Sequence, residues 1–276
     1  MQKAHAYIYI PVCAEMRLKM TINDGFRFIY ANQSSDEFGV FKGAFGNGTD
    51  NIDEATGLIT SKTMFQEKWS FHGIEKNEPL KFKLTIAKSD GTYFDAYEER
   101  AIKKWLCKKK RHWLYIDQDD LANIGYYCIL LNPQKVSVGL KSAGISFDVI
   151  CDSNHAWSDL QKQRRLSSDG TFQFIYHSDF DEEVLTPVFT ITPLSDGTIK
   201  IKNRTTGKEV SIDHCITTET ITMDCENEIM VSSSGRVLIG NWNKRFLQII
   251  EGVNMIELTG DFVLDMEYRL PVRIGG

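Results

Sequence analysis

Acidic side chains are the most conspicuous candidates for chemistry in this 276-residue chain. They cluster around Phe180, as Asp179, Asp181, Glu182 and Glu183. Paired carboxylates can hydrolyse glycosidic bonds, but catalytic pairs normally come from separate elements that face each other across a cleft. Adjacent acids in a polar stretch are typical of a solvated loop, and we prefer that interpretation. The sequence has no phosphate loop, dinucleotide-binding glycine pattern, nucleophile elbow or H-E-x-x-H motif. We therefore predict no catalytic residues and no enzyme activity.

Histidine and cysteine are too dispersed to predict a metal site. Cys151 and His155 lie four residues apart and His214 adjoins Cys215, but neither pair belongs to the two-plus-two ligand pattern of zinc sites. The six cysteines include no C-x-x-C pair, and we interpret them as reduced thiols that mostly behave as small buried apolar groups. The sequence predicts neither a metal site nor a cofactor.

Two segments could instead bind a ligand. The run Lys108–Arg111 precedes Trp113 and Tyr115, a combination found in nucleic-acid-binding patches. The net charge of −5 and the pI near 5.7 favour another reading, in which these cations complement the dipole at a helix C-terminus. Trp242 could stack on a sugar, although a tryptophan in a sandwich strand is more often a core residue.

Short strands separated by turns dominate the predicted secondary structure. Strand formers are concentrated in segments whose ends carry Asp-Gly pairs or similar turn chemistry. The clearest predicted strands are Phe26–Tyr30, Leu80–Ala87, Tyr126–Leu131, Phe147–Cys151, Phe172–Tyr176, Val188–Thr192, Ile199–Lys202 and Ile256–Thr259. This spacing is typical of sandwiches or barrels rather than of βαβ units.

One helix is predicted, from Thr92 to about Cys107. Phe94, Tyr97, Ala101 and Trp105 follow at helical spacing, so we expect them on one buried stripe with Trp105 packed against the sheet. Thr92 and Asp95 resemble a capping box.

Three further segments define the predicted domain organisation. Residues 1–19 form an N-terminal arm or extension, 20–158 a first domain and 159–276 a second. The boundary lies in residues 152–170, which are polar and contain no strand pattern. The Gly- and Asn-rich region Gly43–Ser61 is predicted to be a long loop or a projecting hairpin.

Several landmarks, taken in order, resemble the family of phage distal tail proteins. In the first half they are FHGIEKNEPLKFKLTIAK, the helix end IKKWL and FDVICDSNHAWS. In the second half ITMDCENEIMV and GNWNKRFLQIIEGVNMIELTG resemble two strand regions of that family's galectin-like sandwich. Asn154–His155 departs from the Pro–Tyr that is more usual there.

The resemblance implies a mainly β protein with two sandwich-like domains, the first with one helix and a projecting β-hairpin arm, the second galectin-like. It implies a homo-hexameric ring at the tail tip of the virion, assembled in the host cytoplasm. The ring would join the tail-tube protein to the baseplate hub, contact a receptor-binding protein, and let DNA pass through without specific binding. The candidate ring-interface residues in the arm are Asn51, Ile52, Leu58, Ile59 and Thr60.

Two other function classes remain open at this point. A carbohydrate-binding module that attaches a phage to its host would need an exposed aromatic ring beside polar side chains. The galectins' own set of sugar-binding polar residues is absent from the sequence, so sugar binding does not follow from the resemblance. A wall-degrading enzyme is the least favoured alternative, because no catalytic constellation is visible.

Overall fold

The computed structural model describes residues 26–43, 57–62, 69–75, 78–118, 123–180 and 184–274. In chain order its strands are β1 (Phe28–Tyr30), β2 (Gln33–Ser34), β3 (Val40–Lys42), β4 (Gly57–Lys62), β5 (Trp69–Glu75), β6 (Lys81–Lys88), β7 (His112–Ile116), β8 (Ile124–Val138), β9 (Lys141–Cys151), β10 (Ala156–Ser158), β11 (Gln161–Tyr176), β12 (Val188–Pro193), β13 (Gly197–Asn203), β14 (Lys208–Cys215), β15 (Ile221–Asp224), β16 (Ile229–Ser232), β17 (Gly252–Tyr268) and β18 (Pro271–Val272). The helix α1 spans Ala96–Leu106, and a 3₁₀ turn spans Ser35–Phe38. The predicted mainly β fold is confirmed.

The first half of the chain builds a nine-stranded sheet. Its main order is β2-β1-β7-β8-β9-β6-β3, and β10 pairs with both β8 and β18. The segment KFKLTIAK behaves as its alternation predicts, because Phe82, Leu84 and Ile86 are buried while the intervening Lys81 and Lys83 are exposed. These three side chains belong to a core of buried residues that also receives the helix.

The helix begins four residues later than the sequence suggests. Asp95 is the N-cap, and its carboxylate accepts hydrogen bonds from the backbone N–H groups of Tyr97 and Glu98, both at 2.8 Å. Glu98 completes the capping box by accepting from the Asp95 N–H at 2.9 Å. The prediction that Thr92 caps the helix is wrong, because Thr92 donates its N–H and its hydroxyl to Asp90 in a preceding turn.

The buried face of the helix is centred on Ile102 and Leu106. Trp105 lies at the margin of this face and is 2% exposed, which confirms its predicted burial. Tyr97 and Ala101 lie further round the helix at 100° per residue. Tyr97 is 84% exposed and Ala101 is also exposed, so the prediction that both share the buried stripe is wrong.

The second half builds a seven-stranded sheet around a long hairpin. Its main order is β14-β13-β17-β12-β15-β16, and β11 pairs with β17 over the length of both strands. The prediction of no strand in residues 152–170 is therefore wrong, because β10 and the first part of β11 lie there. The signal was hidden because the side chains of this part of β11 are mostly exposed, and cross-strand ion pairs from Lys162 to Glu267 and from Arg164 to Asp265 line it.

A bend at Gly260 lets β17 take part in both layers of the second domain. The first part of β17 pairs with β13 and the second part with β12. Gly260 lies between these parts with φ at 107°, and a Cβ there would come within 2.9 Å of the Thr198 carbonyl oxygen. On the facing strand, the pairing register shifts between Ser168 and Gly170. Side chains from both layers meet in one second core, including Ile201, Phe189 and Phe262, which is the arrangement of a sandwich.

The chain returns to the first sheet near its end. In β18, Pro271 and Val272 pair with Trp157 and Ala156 of β10. The Ser158 N–H also donates to the Leu270 carbonyl at 2.8 Å. The first sheet thus contains strands from both ends of the described chain. No helix among the described residues is long and apolar enough to cross a membrane, and residues 1–19 lie outside the described ranges.

Replacing Trp105 by alanine should destabilise the protein by about 3–5 kcal/mol, as the loss of a large buried aromatic does. The indole stacks on Phe38 at a centroid distance of 4.1 Å and on Phe28 at 5.5 Å, and its N–H donates to the Tyr30 carbonyl. The matched control is Tyr97→Ala on the same helix, which should change stability by about 0.5 kcal/mol or less. Chemical denaturation measures both. Equal effects of the two substitutions would contradict the assigned packing.

Replacing Gly260 by alanine should destabilise the second domain by about 2 kcal/mol or more, since the substitution combines an unfavourable positive φ with a backbone clash. Gly170→Ala is the control in the same hairpin, where a Cβ would have open space, and its effect should stay within about 1 kcal/mol. Thermal melts of both variants test this. An unchanged melting temperature for Gly260→Ala would refute the bend as described.

Candidate assembly surfaces and the interdomain cleft

The hairpin of β4 and β5 is the structural counterpart of the predicted arm. The two strands pair antiparallel, from Gly57 with Glu75 to Lys62 with Trp69. Within the described chain they form a two-stranded sheet of their own and pair with neither large sheet. The hairpin lies later than the predicted region Gly43–Ser61, with which only its first strand overlaps.

The candidate arm residues fall into two groups. Leu58, Ile59 and Thr60 lie in β4, where the register shifts between Ile59 and Thr60. Asn51 and Ile52 lie outside the described residues. The role of all five at a ring interface stays a prediction.

A second projecting element, which the sequence analysis missed, is the tip of the β8–β9 hairpin. Leu140 at the turn is fully exposed and Val138 is more than half exposed. Gly139 supplies the positive φ, 62°, of the two-residue turn. The hairpin is anchored near the helix, because Lys135 pairs with the buried Glu99 carboxylate at 2.8 Å. The signal in the sequence was the Val-Gly-Leu-Lys turn between two strand patterns.

The residues considered for chemistry do not form a catalytic group in the described chain. Asp179 accepts a hydrogen bond from the Arg273 N–H at 3.0 Å and so fastens the end of the chain. Asp181, Glu182 and Glu183 lie outside the described residues. The described ranges contain no cluster of three or more His, Cys, Asp or Glu that could hold a metal ion.

The structure gives the surroundings of the two Cys–His pairs that were considered as metal ligands. Burial, helped by the nearby Asp152 charge, raises the pKa of the Cys151 thiol to about 12 and keeps it protonated. His155 is buried against Trp157 at a ring distance of 4.4 Å. Burial lowers the pKa of His155, and Asp152 only partly opposes this. Cys215 is buried, whereas its neighbour His214 is exposed.

The two segments considered for ligand binding have structural roles in the described chain. Lys108–Arg111 follow the helix C-cap Cys107, where cations suit the helix dipole. Trp242 is partly buried against the second core and meets Phe246 edge-on at 5.1 Å, as a core tryptophan would.

A cleft of about 660 Å³ lies between the two halves of the molecule. The first sheet contributes the aromatic residues Trp113, Tyr127 and Trp157 to its lining. The second sheet contributes Glu226 and Asn227 from the β15–β16 turn, and Glu267 from the end of β17. Burial raises the pKa of Glu226, and the nearby charges of Asp224 and Asp152 raise it further. Sequence reasoning missed this cleft, since its residues are far apart in the chain.

Comparison with solved structures shows the same overall fold in phage tail proteins. The Dit protein of phage SPP1, described as a paradigm of the hub adsorption apparatus in phages that infect Gram-positive bacteria, aligns with a TM-score of 0.65 at 8% identity, covering 90% of this chain and 100% of that one. Chains of the phage p2 baseplate in its activated conformation align with TM-scores of 0.52 with Ca and 0.54 with Sr. Their identities are 11% and 9%, and each alignment covers 89% of this chain and 98% of the other.

Sequence comparison identifies the family. No curated protein matches the sequence. Residues 23–153 match the family model of a phage tail protein N-terminal domain, and residues 155–268 match that of a phage tail C-terminal domain. These two adjoining matches show that the chain belongs to a family of phage tail proteins, and it shares its fold with the SPP1 Dit protein over the full length of that protein.

Proposed function

We propose that the protein is a non-enzymatic adaptor that forms a homo-hexameric ring at the tip of a phage tail. The ring joins the tail-tube protein to the baseplate hub, carries a receptor-binding protein at its periphery, and encloses a channel for DNA. The observation that carries the proposal is the β4–β5 hairpin, which in the described chain pairs with no strand of its own domain.

An unpaired hairpin suits a head-to-tail ring. A two-stranded ribbon is marginally stable alone in water, so it gains stability by lying against another surface. In a cyclic assembly each arm covers the next subunit, and closure of the ring leaves no arm uncovered. Leu58 and Ile59 on the arm would supply apolar contact in such an interface, and Asn51, Ile52 and Thr60 would complete it.

Exposed apolar groups at the β8–β9 tip support contact with a neighbour. Leu140 and Val138 lie at the end of a hairpin that Glu99 and Lys135 anchor near the helix. A rigidly held apolar tip is costly in water and favourable in an interface. We assign this tip to the same ring contact or to the tail-tube protein stacked on the ring.

The charge of the chain suits a channel through which DNA moves. A net charge of −5 per subunit opposes tight phosphate binding, which depends on lysine and arginine contacts. DNA therefore passes without being held. In this proposal the second domain lies outside the ring as a galectin-like sandwich, and the protein is assembled in the host cytoplasm before it enters the virion.

Removal of the arm should abolish ring formation without unfolding the protein. Because Gly57 pairs with Glu75, a short Gly-Ser linker can replace residues 57–75 with little strain. Light scattering should report a hexamer for the parent, alone or with the tail-tube protein, and a monomer for the deletion variant. Lys200→Ser, on the exposed face of the second domain, is the control and should still form rings. A parent that stays monomeric even with the tail-tube protein present would defeat the proposal.

The two domains should also separate at the positions where the chain leaves and re-enters the first sheet. A fragment of residues 159–270 retains every strand of the seven-stranded sheet, so it should unfold in one cooperative transition. A fragment of residues 159–251 lacks β17 and should not fold. Calorimetry distinguishes the two. A fragment 159–270 without a cooperative transition would count against the proposed domain division.

A further inference from the structure

We propose that the cleft between the two domains binds an uncharged saccharide. Its volume of about 660 Å³ lies within the range of about 300–1,000 Å³ that is usual for small-molecule sites. Its lining combines aromatic rings with carboxylate and amide groups. The proposal does not depend on the ring, since each subunit carries a complete cleft.

The aromatic side is a floor built by three neighbouring strands. Tyr115, Gly125 and Trp157 are paired in register across β7, β8 and β10. A Cβ at Gly125 would come within 2.6 Å of the Tyr115 ring and 3.2 Å of the Trp113 ring. The glycine therefore lets these rings lie flat on the sheet. Arg269 covers one face of Trp113, so the half-buried rings of Tyr127 and Trp157 are those against which the apolar C–H face of a sugar ring would pack.

The floor is held in place by polar contacts. The guanidinium of Arg269 lies 3.9 Å from the centre of the Trp113 ring and donates to the Ser158 carbonyl. The Trp157 indole N–H donates to the Asp152 carboxylate, and the Tyr127 ring meets Trp113 at 5.2 Å. The rings are thus oriented before any ligand arrives, which lowers the entropy cost of binding.

The second sheet supplies hydrogen-bonding groups to the lining of the cleft. Glu226 and Asn227 project from the β15–β16 turn, and Asp224 holds that turn by accepting from the backbone N–H groups of both residues. Carboxylates accept hydrogen bonds from adjacent hydroxyl groups, and an amide both donates and accepts. Polyhydroxylated rings present that pattern of donors.

The balance of charge selects against anions. Asp152, Glu226 and Glu267 line the cleft together with Arg269, and Lys162 pairs with Glu267, so the carboxylates exceed these cations by one. Burial is the main cause of the raised pKa of Glu226, and the charges of Asp224 and Asp152 add to it. A phosphate, sulfate or uronic acid would be repelled, so neutral sugars and their N-acetylated forms are the ligand class.

The test is titration of the full-length protein with cellobiose, lactose, chitobiose, rhamnose and a neutral polysaccharide hydrolysate from the host envelope. Tryptophan fluorescence and saturation-transfer NMR report binding. We expect saturable binding of at least one probe with a Kd of about 1 mM or tighter. Glucuronic acid should bind more weakly than the matching neutral sugar.

Two variants of one turn locate the binding site. Glu226→Gln removes a charge-assisted acceptor and should weaken binding by about tenfold. Glu228→Gln lies in the same turn but is not among the cleft residues, so it should bind as the parent does. Absence of saturable binding for every probe would overturn the proposal, as would binding that both variants leave unchanged. Light scattering on the same samples tests the ring independently.

Discussion

Strand β17 hydrogen-bonds to β11 along one side and to both β13 and β12 along the other, and this double role depends on the bend at Gly260. Every other strand of the second sheet is attached to β17 directly or through its neighbours. The end of β17 carries Glu267 and leads into Arg269 and β18. The bend therefore governs the second core, one side of the cleft and the return of the chain to the first sheet.

Local patterns account for the parts of the fold that a sequence can predict. KFKLTIAK alternates because one face of β6 is buried, and Trp105 is buried because it belongs to an amphipathic helix. The first part of β11 could not be predicted in this way. Its charged side chains are stabilised by Glu267 and Asp265, about a hundred residues further along the chain, and no local periodicity records such a partner.

The candidate sites also differ in whether local sequence patterns could predict them. A hairpin in this part of the chain could be anticipated because residues Gly43–Ser61 are poor in core residues, although its second strand lies beyond the expected limits and its role as an arm stays a prediction. The cleft could not, because Trp113, Trp157 and Glu226 come from three separate segments that only the sheet topology brings together. Tyr97 shows the limit of helical spacing alone, since a regular stripe does not reveal where the buried face is centred.

The chain leaves the first sheet and returns to it at adjacent positions, and this affects how the two domains can move relative to each other. Two antiparallel segments connect the second domain to the first sheet, and they are joined by hydrogen bonds between Ser158 and Leu270. A single flexible peptide would let the domain swivel freely about its axis, whereas two tethers side by side restrict twisting and leave bending as the softer motion. A pull on the second domain is shared between β10 and β18 as shear along their hydrogen bonds. A force applied to the second domain would then reach the first sheet as a directed load, with little lost to rotation of the domain.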